Sequence, residues 1–224
     1  MAHSLNNNPA LIKACIFDLD GVIVDTARYH YLAWNRLAKE IGIPFTELDN
    51  ERLKGVSRMR SLDIILELGG VTLSEVKKER LATEKNTWFV NYLDHMAPDE
   101  IFPGIKLLLE RLRRAGLKIA LASSSRNAKK VIALLNIGNK FDVIVDGTMV
   151  VNSKPDPEIF LLAASKLRIA PENCLVFEDA EAGVEAALAA GMKCIGIGSP
   201  LQVGKANKVM TRAAEFPMEY LQQL

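Results

Sequence analysis

Five short apolar segments occur along the chain, and each is followed by polar residues. The segments are continuously apolar rather than alternating, which is typical of strands buried on both faces of a parallel sheet. They predict strands at residues 13–18, 117–122, 141–145, 174–177 and 193–197.

Helical spacing of apolar residues lies between the later segments. It predicts helices at residues 103–114, 126–136, 156–167 and 180–190. In the first of these, Pro103 suits the first helical turn and Gly116 suits the C-terminal stop. The alternation of strands and helices predicts an α/β fold with a doubly wound parallel sheet.

The region between the first two predicted strands breaks this alternation, because it carries helical patterns and no pattern of a buried strand. A stripe of apolar residues over 31–41 ends at Gly42, and a second helix is predicted over 58–68. A third helix follows the capping-box pattern from Thr72 to Glu75. We therefore predict an all-helical cap domain, residues 26–96, inserted into a core domain of residues 1–25 and 97–224. Such an insertion lies above the carboxyl edge of the sheet, where α/β folds bind ligands.

Composition and charge exclude several classes of partner. The 224 residues are 49% hydrophobic and 25% charged, as in ordinary soluble proteins. Lys and Arg together number 28 against 27 for Asp and Glu, so no basic excess favours nucleic acid or a membrane surface. No apolar stretch is long enough for a membrane helix, and the polar N-terminal tail lacks the apolar segment of a secretory signal.

The three cysteines lie in separate apolar segments, without the spacing of a zinc site or a redox pair. Cys15, Cys174 and Cys194 are therefore expected to be buried thiols in a reducing compartment. We expect a cytoplasmic protein that acts as a monomer.

Four groups of polar residues fall at the ends of predicted strands, and they share one edge of a parallel sheet. They are Asp18 with Asp20, Ser123 through Asn127, Lys154 with the prolines that follow it, and Glu178 with Asp179. Four carboxylates in one crevice repel each other unless a cation or a proton compensates them. Oxygen ligands without His or Cys favour Mg²⁺. Each group alone also has a simpler explanation, as a loop, a solvated helix start, a helix cap or a surface lysine.

The remaining groups suit an anion beside these carboxylates. Ser123 and the residues after it offer hydroxyls and backbone N–H groups at a predicted helix N-terminus. Lys154 can neutralise a carboxylate and a phosphate. A metal ion, a helix N-terminus and a lysine around a carboxylate suit phosphoryl transfer with an aspartate as covalent acceptor.

In this order and spacing, the four groups resemble the motifs of the haloacid dehalogenase-like superfamily across residues 14–198. Residues 25–30, 33–34, 53–58 and 120–127 further resemble its β-phosphoglucomutase branch. The resemblance implies a Rossmann-like core with a helical cap. It also implies interconversion of β-glucose 1-phosphate and glucose 6-phosphate through an aspartyl phosphate and a bisphosphate intermediate.

The resemblance also implies roles for individual residues of the core. Asp18 is implied as the nucleophile, and Asp20 as the general acid/base whose backbone carbonyl also binds Mg²⁺. Glu178 and Asp179 complete the implied metal site. The transferring phosphate is implied to bind Ser123 and Lys154.

The cap and its surroundings are implied to bind the rest of the substrate. The residues implied for the distal phosphate or the sugar are Lys54, Gly55, Arg58, Ser125 and Asn127. Thr26 and His30 are implied at the hinge, where they couple cap closure to Asp20. Arg126 stands where the family has Lys, which keeps the charge but changes the geometry of phosphate contact.

Two alternative functions stay open. A sugar-phosphate phosphatase would use the same aspartates with water as the acceptor, so the four motifs do not separate it from a mutase. A distal phosphate site at Lys54 and Arg58 favours a phosphorylated acceptor. A non-catalytic phosphate-binding protein is disfavoured by Asp20, because phosphate binding alone needs no second carboxylate beside the nucleophile.

Overall fold

The computed structural model describes residues 11–223, and its centre is a sheet of six parallel strands. The strand order is β3-β2-β1-β4-β5-β6. The strands are β1 (Ala14–Phe17), β2 (Lys118–Ser123), β3 (Val143–Asp146), β4 (Cys174–Glu178), β5 (Lys193–Ile197) and β6 (Lys208–Met210). The five predicted strands are confirmed. Most of the polar N-terminal tail, residues 1–10, lies outside the described residues.

Burial on both faces explains why the central strands are continuously apolar. Along β1, Cys15 and Phe17 pack into one hydrophobic cluster, and Ala14 and Ile16 pack into another on the opposite face. The edge strand β6 is short and only half-buried, so it carries no such pattern and was not predicted.

Five helices flank the sheet: α5 (Ile105–Arg114), α6 (Ala128–Leu134), α7 (Glu158–Leu167), α8 (Glu181–Ala189) and α9 (Pro200–Val203). The predicted helices correspond to α5 through α8, and Gly116 with φ +81° ends the first of them as expected. The placement of Pro103 in the first turn is wrong. Gly104 precedes the helix in a left-handed conformation with φ +86°, and the helix begins only at Ile105.

Four helices lie between β1 and α5, where the sequence predicts three: α1 (Ala27–Glu40), α2 (Glu47–Glu51), α3 (Arg58–Leu68) and α4 (Glu75–Leu93). The predicted capping box at Thr72 is wrong, because Ser74 is the N-cap residue of α4 and Thr72 lies too far before the helix. A capping box does form at the unpredicted helix α2, between Thr46 and Asp49. The domain boundaries at 25/26 and 96/97 stay predictions.

The two connections between the helical insertion and the sheet run side by side. Val24 pairs with Ile101 in an isolated bridge, and the Phe102 N–H donates to the Ile23 carbonyl at 2.9 Å. The four helices are therefore anchored at the carboxyl end of β1, beside the predicted site.

The three cysteines are free and buried, as expected. Within residues 11–223, every helix is too short or too polar to cross a membrane.

Candidate active site

Asp18 lies immediately after β1, in a turn that fixes its carboxylate. Its backbone N–H donates to the Phe177 carbonyl at 2.9 Å, and its Oδ2 accepts from the Asp20 N–H at 2.9 Å. Gly21 continues the turn with φ +79°, and a Cβ at this position would lie 1.9 Å from Asp179 Oδ2. Only glycine allows this turn to approach Asp179 so closely.

Lys154 lies buried between two of the predicted carboxylates. Its Nζ is 2.5 Å from Asp18 Oδ1 and 2.7 Å from Glu178 Oε2. Burial acts to lower the pKa of Lys154, but the two carboxylates more than offset it, so the net pKa is raised. The lysine therefore stays protonated and holds Asp18 in place.

Glu178 ends β4 and is fixed from the other side. Its Oε1 accepts from the Ala180 N–H at 3.1 Å. A Cβ at Gly183 would lie 2.0 Å from the Glu178 carboxyl carbon, so helix α8 begins with a close approach to this carboxylate.

Asp18, Glu178 and Asp179 form a cluster whose oxygens lie within 4.8 Å of one another. Burial, followed by the nearby carboxylates, raises the pKa of Asp179 well above its usual range. Burial also raises the pKa of Glu178 to about 7, although Lys154 opposes the shift. One lysine does not balance three clustered carboxylates, so the residues fit a divalent cation.

The Asp20 carboxylate is not part of this cluster. The Thr26 hydroxyl donates to its Oδ1, and Thr26 is fully buried immediately before α1. Burial and the charge of Asp18 raise the pKa of Asp20 to about 7. A metal contact of Asp20 through its backbone carbonyl stays a prediction.

The serine-rich segment after β2 forms successive turns. Ser123 Oγ accepts from the Ser125 N–H at 3.1 Å, and Ser125 Oγ accepts from the Asn127 N–H at 3.2 Å. Because both hydroxyl oxygens act as acceptors here, their protons stay available for an anion. Ser124 instead contacts the cap, by donating to the Gly55 carbonyl at 3.2 Å.

Asn86 of α4 joins the cap to the core beside Arg58. Its Oδ1 accepts from Arg58 at 2.8 Å and from Asn127 Nδ2 at 2.8 Å. Within residues 11–223, no carboxylate forms an ion pair with Arg58, and burial and Arg126 lower the pKa of Arg58. Lys54, in contrast, is paired with Glu51 at 2.8 Å.

His30 contacts a residue that the sequence analysis missed. Its Nδ1 lies 2.8 Å from Lys85 Nζ, and Lys85 is only 2% exposed. The ammonium group lies over the rings of Trp34 and Phe89, at 4.3 and 4.8 Å from their centroids. Burial is the main cause that lowers the pKa of both His30 and Lys85.

A cavity of about 120 Å³ between cap and core brings most of the predicted residues together. It is lined by Asp18, Asp20, Thr26, His30, Lys54, Gly55, Arg58, Ser125, Asn127 and Asp179. The unpredicted polar residues on its cap side are Asn50, Ser61, Lys85 and Asn86.

Ser123, Lys154 and Glu178 do not line this cavity. Lys154 lies between Asp18 and Glu178 and holds the Asp18 carboxylate, while Ser123 is fully buried at the end of β2. Lys154 also lines a second cavity of about 560 Å³, together with Arg58 and Arg126.

Other proteins are similar to this chain in sequence and fold over nearly its whole length. The β-phosphoglucomutase of Bacillus subtilis is 44% identical over 214 residues, which cover 95% of each chain. A phosphorylated carbohydrates phosphatase of Thermotoga maritima is 39% identical over 87% of this chain and 89% of its own length. The crystal structure of β-phosphoglucomutase from Clostridium difficile has a TM-score of 0.90, with 46% identity over 95% of this chain and 96% of the other. Residues 12–191 match the model of the haloacid dehalogenase-like hydrolases, and the chain belongs to that family.

Proposed function

We propose that this chain is a phosphomutase that interconverts β-D-glucose 1-phosphate and glucose 6-phosphate through a bisphosphate intermediate. The observation that carries the proposal is the placement of Arg58, which has no carboxylate partner among the described residues, in the same cavity as Asp18 and Asp20. A bisphosphate has two anionic ends, and the cavity offers a second cationic group besides those that hold the nucleophile. The high identity to β-phosphoglucomutases supports the same reaction.

Asp18 is the proposed nucleophile. A carboxylate oxygen of Asp18 attacks phosphorus and forms an aspartyl phosphate, while the bond between phosphorus and the sugar oxygen breaks. In the other half of the cycle a sugar hydroxyl attacks the aspartyl phosphate and releases Asp18. Lys154 and the Asp20 N–H hold the Asp18 carboxylate throughout.

Asp20 is the proposed general acid and base. With a pKa of about 7 it can carry a proton to the departing sugar oxygen and remove one from the attacking hydroxyl. Thr26 orients the carboxylate from the start of the cap. The coupling of cap closure to Asp20 through Thr26 and His30 is part of this proposal.

Mg²⁺ is the proposed cofactor, held by Asp18, Glu178 and Asp179. When bound there, it would offset the negative charge of the carboxylates and of the phosphoryl group. Ser123 is the proposed donor to the transferring phosphoryl group, while Lys54, Gly55, Arg58, Ser125 and Asn127 bind the distal phosphate or the sugar. The cytoplasmic location and the monomeric state stay predictions from the sequence.

A coupled assay tests the reaction. The protein is given β-glucose 1-phosphate, Mg²⁺ and a trace of glucose bisphosphate, and glucose 6-phosphate and inorganic phosphate are measured in parallel. We expect glucose 6-phosphate to form much faster than inorganic phosphate. Phosphate release that keeps pace with substrate consumption would instead identify a phosphatase, and the absence of both products would favour a binding protein.

A further inference from the structure

Asn50 is an unusual residue on the cap side of the cavity. Its Oδ1 is the one buried side-chain nitrogen or oxygen without a hydrogen-bond partner among residues 11–223. The residue is 7% exposed and lines the cavity between cap and core. Buried polar groups are nearly always paired in folded proteins, so this oxygen calls for a partner from outside the chain.

The local structure does not require an asparagine at this position. Helix α2 is already capped by Thr46 and Asp49, and the Asn50 backbone N–H donates to the Thr46 carbonyl. Asn50 is the one buried residue of this helix. The inward position of a short surface helix is normally apolar, and a leucine or valine there would avoid the unpaired oxygen.

The other uncharged polar groups on the cap side of the cavity already have partners. The Ser61 hydroxyl donates to the Ser57 carbonyl at 3.1 Å. Asn86 Oδ1 accepts from both Arg58 and Asn127. Among the uncharged polar side chains on the cap side of the cavity, Asn50 is therefore the one whose oxygen has no hydrogen-bond partner within residues 11–223.

The free group is an acceptor, which restricts what can bind it. A phosphate dianion offers only acceptors and does not satisfy an amide oxygen. A hydroxyl group does, and the sugar between two phosphates carries several. We propose that Asn50 accepts a hydrogen bond from one ring hydroxyl and thereby selects sugar phosphates that carry it; this inference rests on the proposed function.

The test compares the wild type with Asn50→Leu, which keeps a similar volume and removes the acceptor. The substrates are β-glucose 1-phosphate and its 2-deoxy, 3-deoxy and 4-deoxy analogues, and the readout is kcat/KM for consumption of the ester. We expect the wild type to use one analogue about tenfold less well than the parent, the effect of one hydrogen bond. In Asn50→Leu the ratio of kcat/KM between the parent and that analogue should fall to about one, because only the parent loses a hydrogen bond.

Asn91→Leu is the matched control, since Asn91 is exposed on helix α4 and does not line the cavity. It should keep the wild-type preference. Thermal unfolding adds a second readout: Asn50→Leu should be at least as stable as the wild type, because it removes an unpaired buried oxygen.

Two outcomes overturn the inference. One is that Asn50→Leu keeps the wild-type preference for the hydroxyl. The other is that it slows all four substrates by the same factor and is less stable, as a purely structural asparagine would. Failure of the mutase proposal is seen separately, in the product that the wild type forms. The preference for the hydroxyl is measured on consumption of the ester, so it does not depend on whether the product is glucose 6-phosphate or phosphate.

Discussion

Replacing Lys154 with methionine tests whether the buried ammonium holds the carboxylates of Asp18 and Glu178 together. Met has a similar length and no charge. The substitution leaves Asp18 and Glu178 buried without the cation that lies 2.5 and 2.7 Å from them. Removing one partner of a buried ion pair costs about 3–5 kcal/mol, because the remaining charge is uncompensated. For a protein of this size we expect a decrease in Tm of roughly 6–20 °C in a metal chelator.

The unfolding free energy of Lys154→Met should depend on pH, and the buried carboxylates determine whether it rises or falls with pH. Burial and Asp18 raise the pKa of Glu178 to about 7 even with Lys154 present, and without the lysine the pKa is higher still. A carboxyl group with a raised pKa binds more protons in the folded state than in the unfolded state. The unfolding free energy of Lys154→Met should therefore fall as the pH rises from about 4.5 through this raised pKa.

Lys205→Met is the matched control, because Lys205 also contacts two glutamates. Its Nζ lies 2.9 Å from Glu181 and 2.6 Å from Glu185, but its side chain is 57% exposed. Solvent screens such surface pairs, so we expect no resolvable change in the denaturant midpoint. Equal losses in the two variants, or a loss below about 1 kcal/mol in Lys154→Met, would refute the role of the buried ammonium. Added Mg²⁺ should stabilise Lys154→Met more than the wild type, because it supplies the missing positive charge.

Three further variants test other parts of the site. Arg58→Ala should reduce kcat/KM for isomerisation by roughly ten- to a hundredfold while acetyl phosphate is still hydrolysed, because it removes a charged contact to the distal phosphate; a change below about threefold contradicts that role. Asp179→Ala should weaken Mg²⁺ binding in calorimetry, and full wild-type activity after dialysis against EDTA would disprove the metal site. Lys85→Met should have a higher Tm at neutral pH, since it removes a buried lysine whose pKa is lowered by burial. Its advantage should shrink as the pH rises toward 10.5, the ordinary pKa of lysine, because the wild-type lysine then loses its proton in the unfolded state too; a lower Tm at pH 7 contradicts the argument.

The sheet and the polar loops at its carboxyl edge could be predicted because each leaves a local signal. Strands buried on both faces are continuously apolar, and parallel strands bring their carboxyl ends to one edge, so Asp18, Lys154 and Glu178 could be expected to converge. The half-buried edge strand β6 and the short helix α2 leave no such pattern.

The missed residues face a cavity from within polar helices. Lys85 lies in a segment rich in charged residues, and the sequence analysis did not single it out. Its spacing of four from both Leu81 and Phe89 places it on the buried stripe of α4, and this signal could have revealed it. Asn50 and Asn86 have no comparable signal, because their importance depends on what lies across the cavity.

The distribution of charge around the cavity favours a phosphorylated acceptor over water. The carboxylates Asp18, Glu178 and Asp179 lie on the core side, where Lys154 and a divalent cation can balance them. Arg58 lies on the cap side and is held by the neutral Asn86, so its positive charge has no counterpart among the described residues. Hydrolysis needs no cation on the cap side of the cavity, because the water that accepts the phosphoryl group carries no charge. A second phosphate on the acceptor supplies the missing negative charge, and the cap therefore fits the transfer between two ends of one sugar better than release of phosphate to solvent.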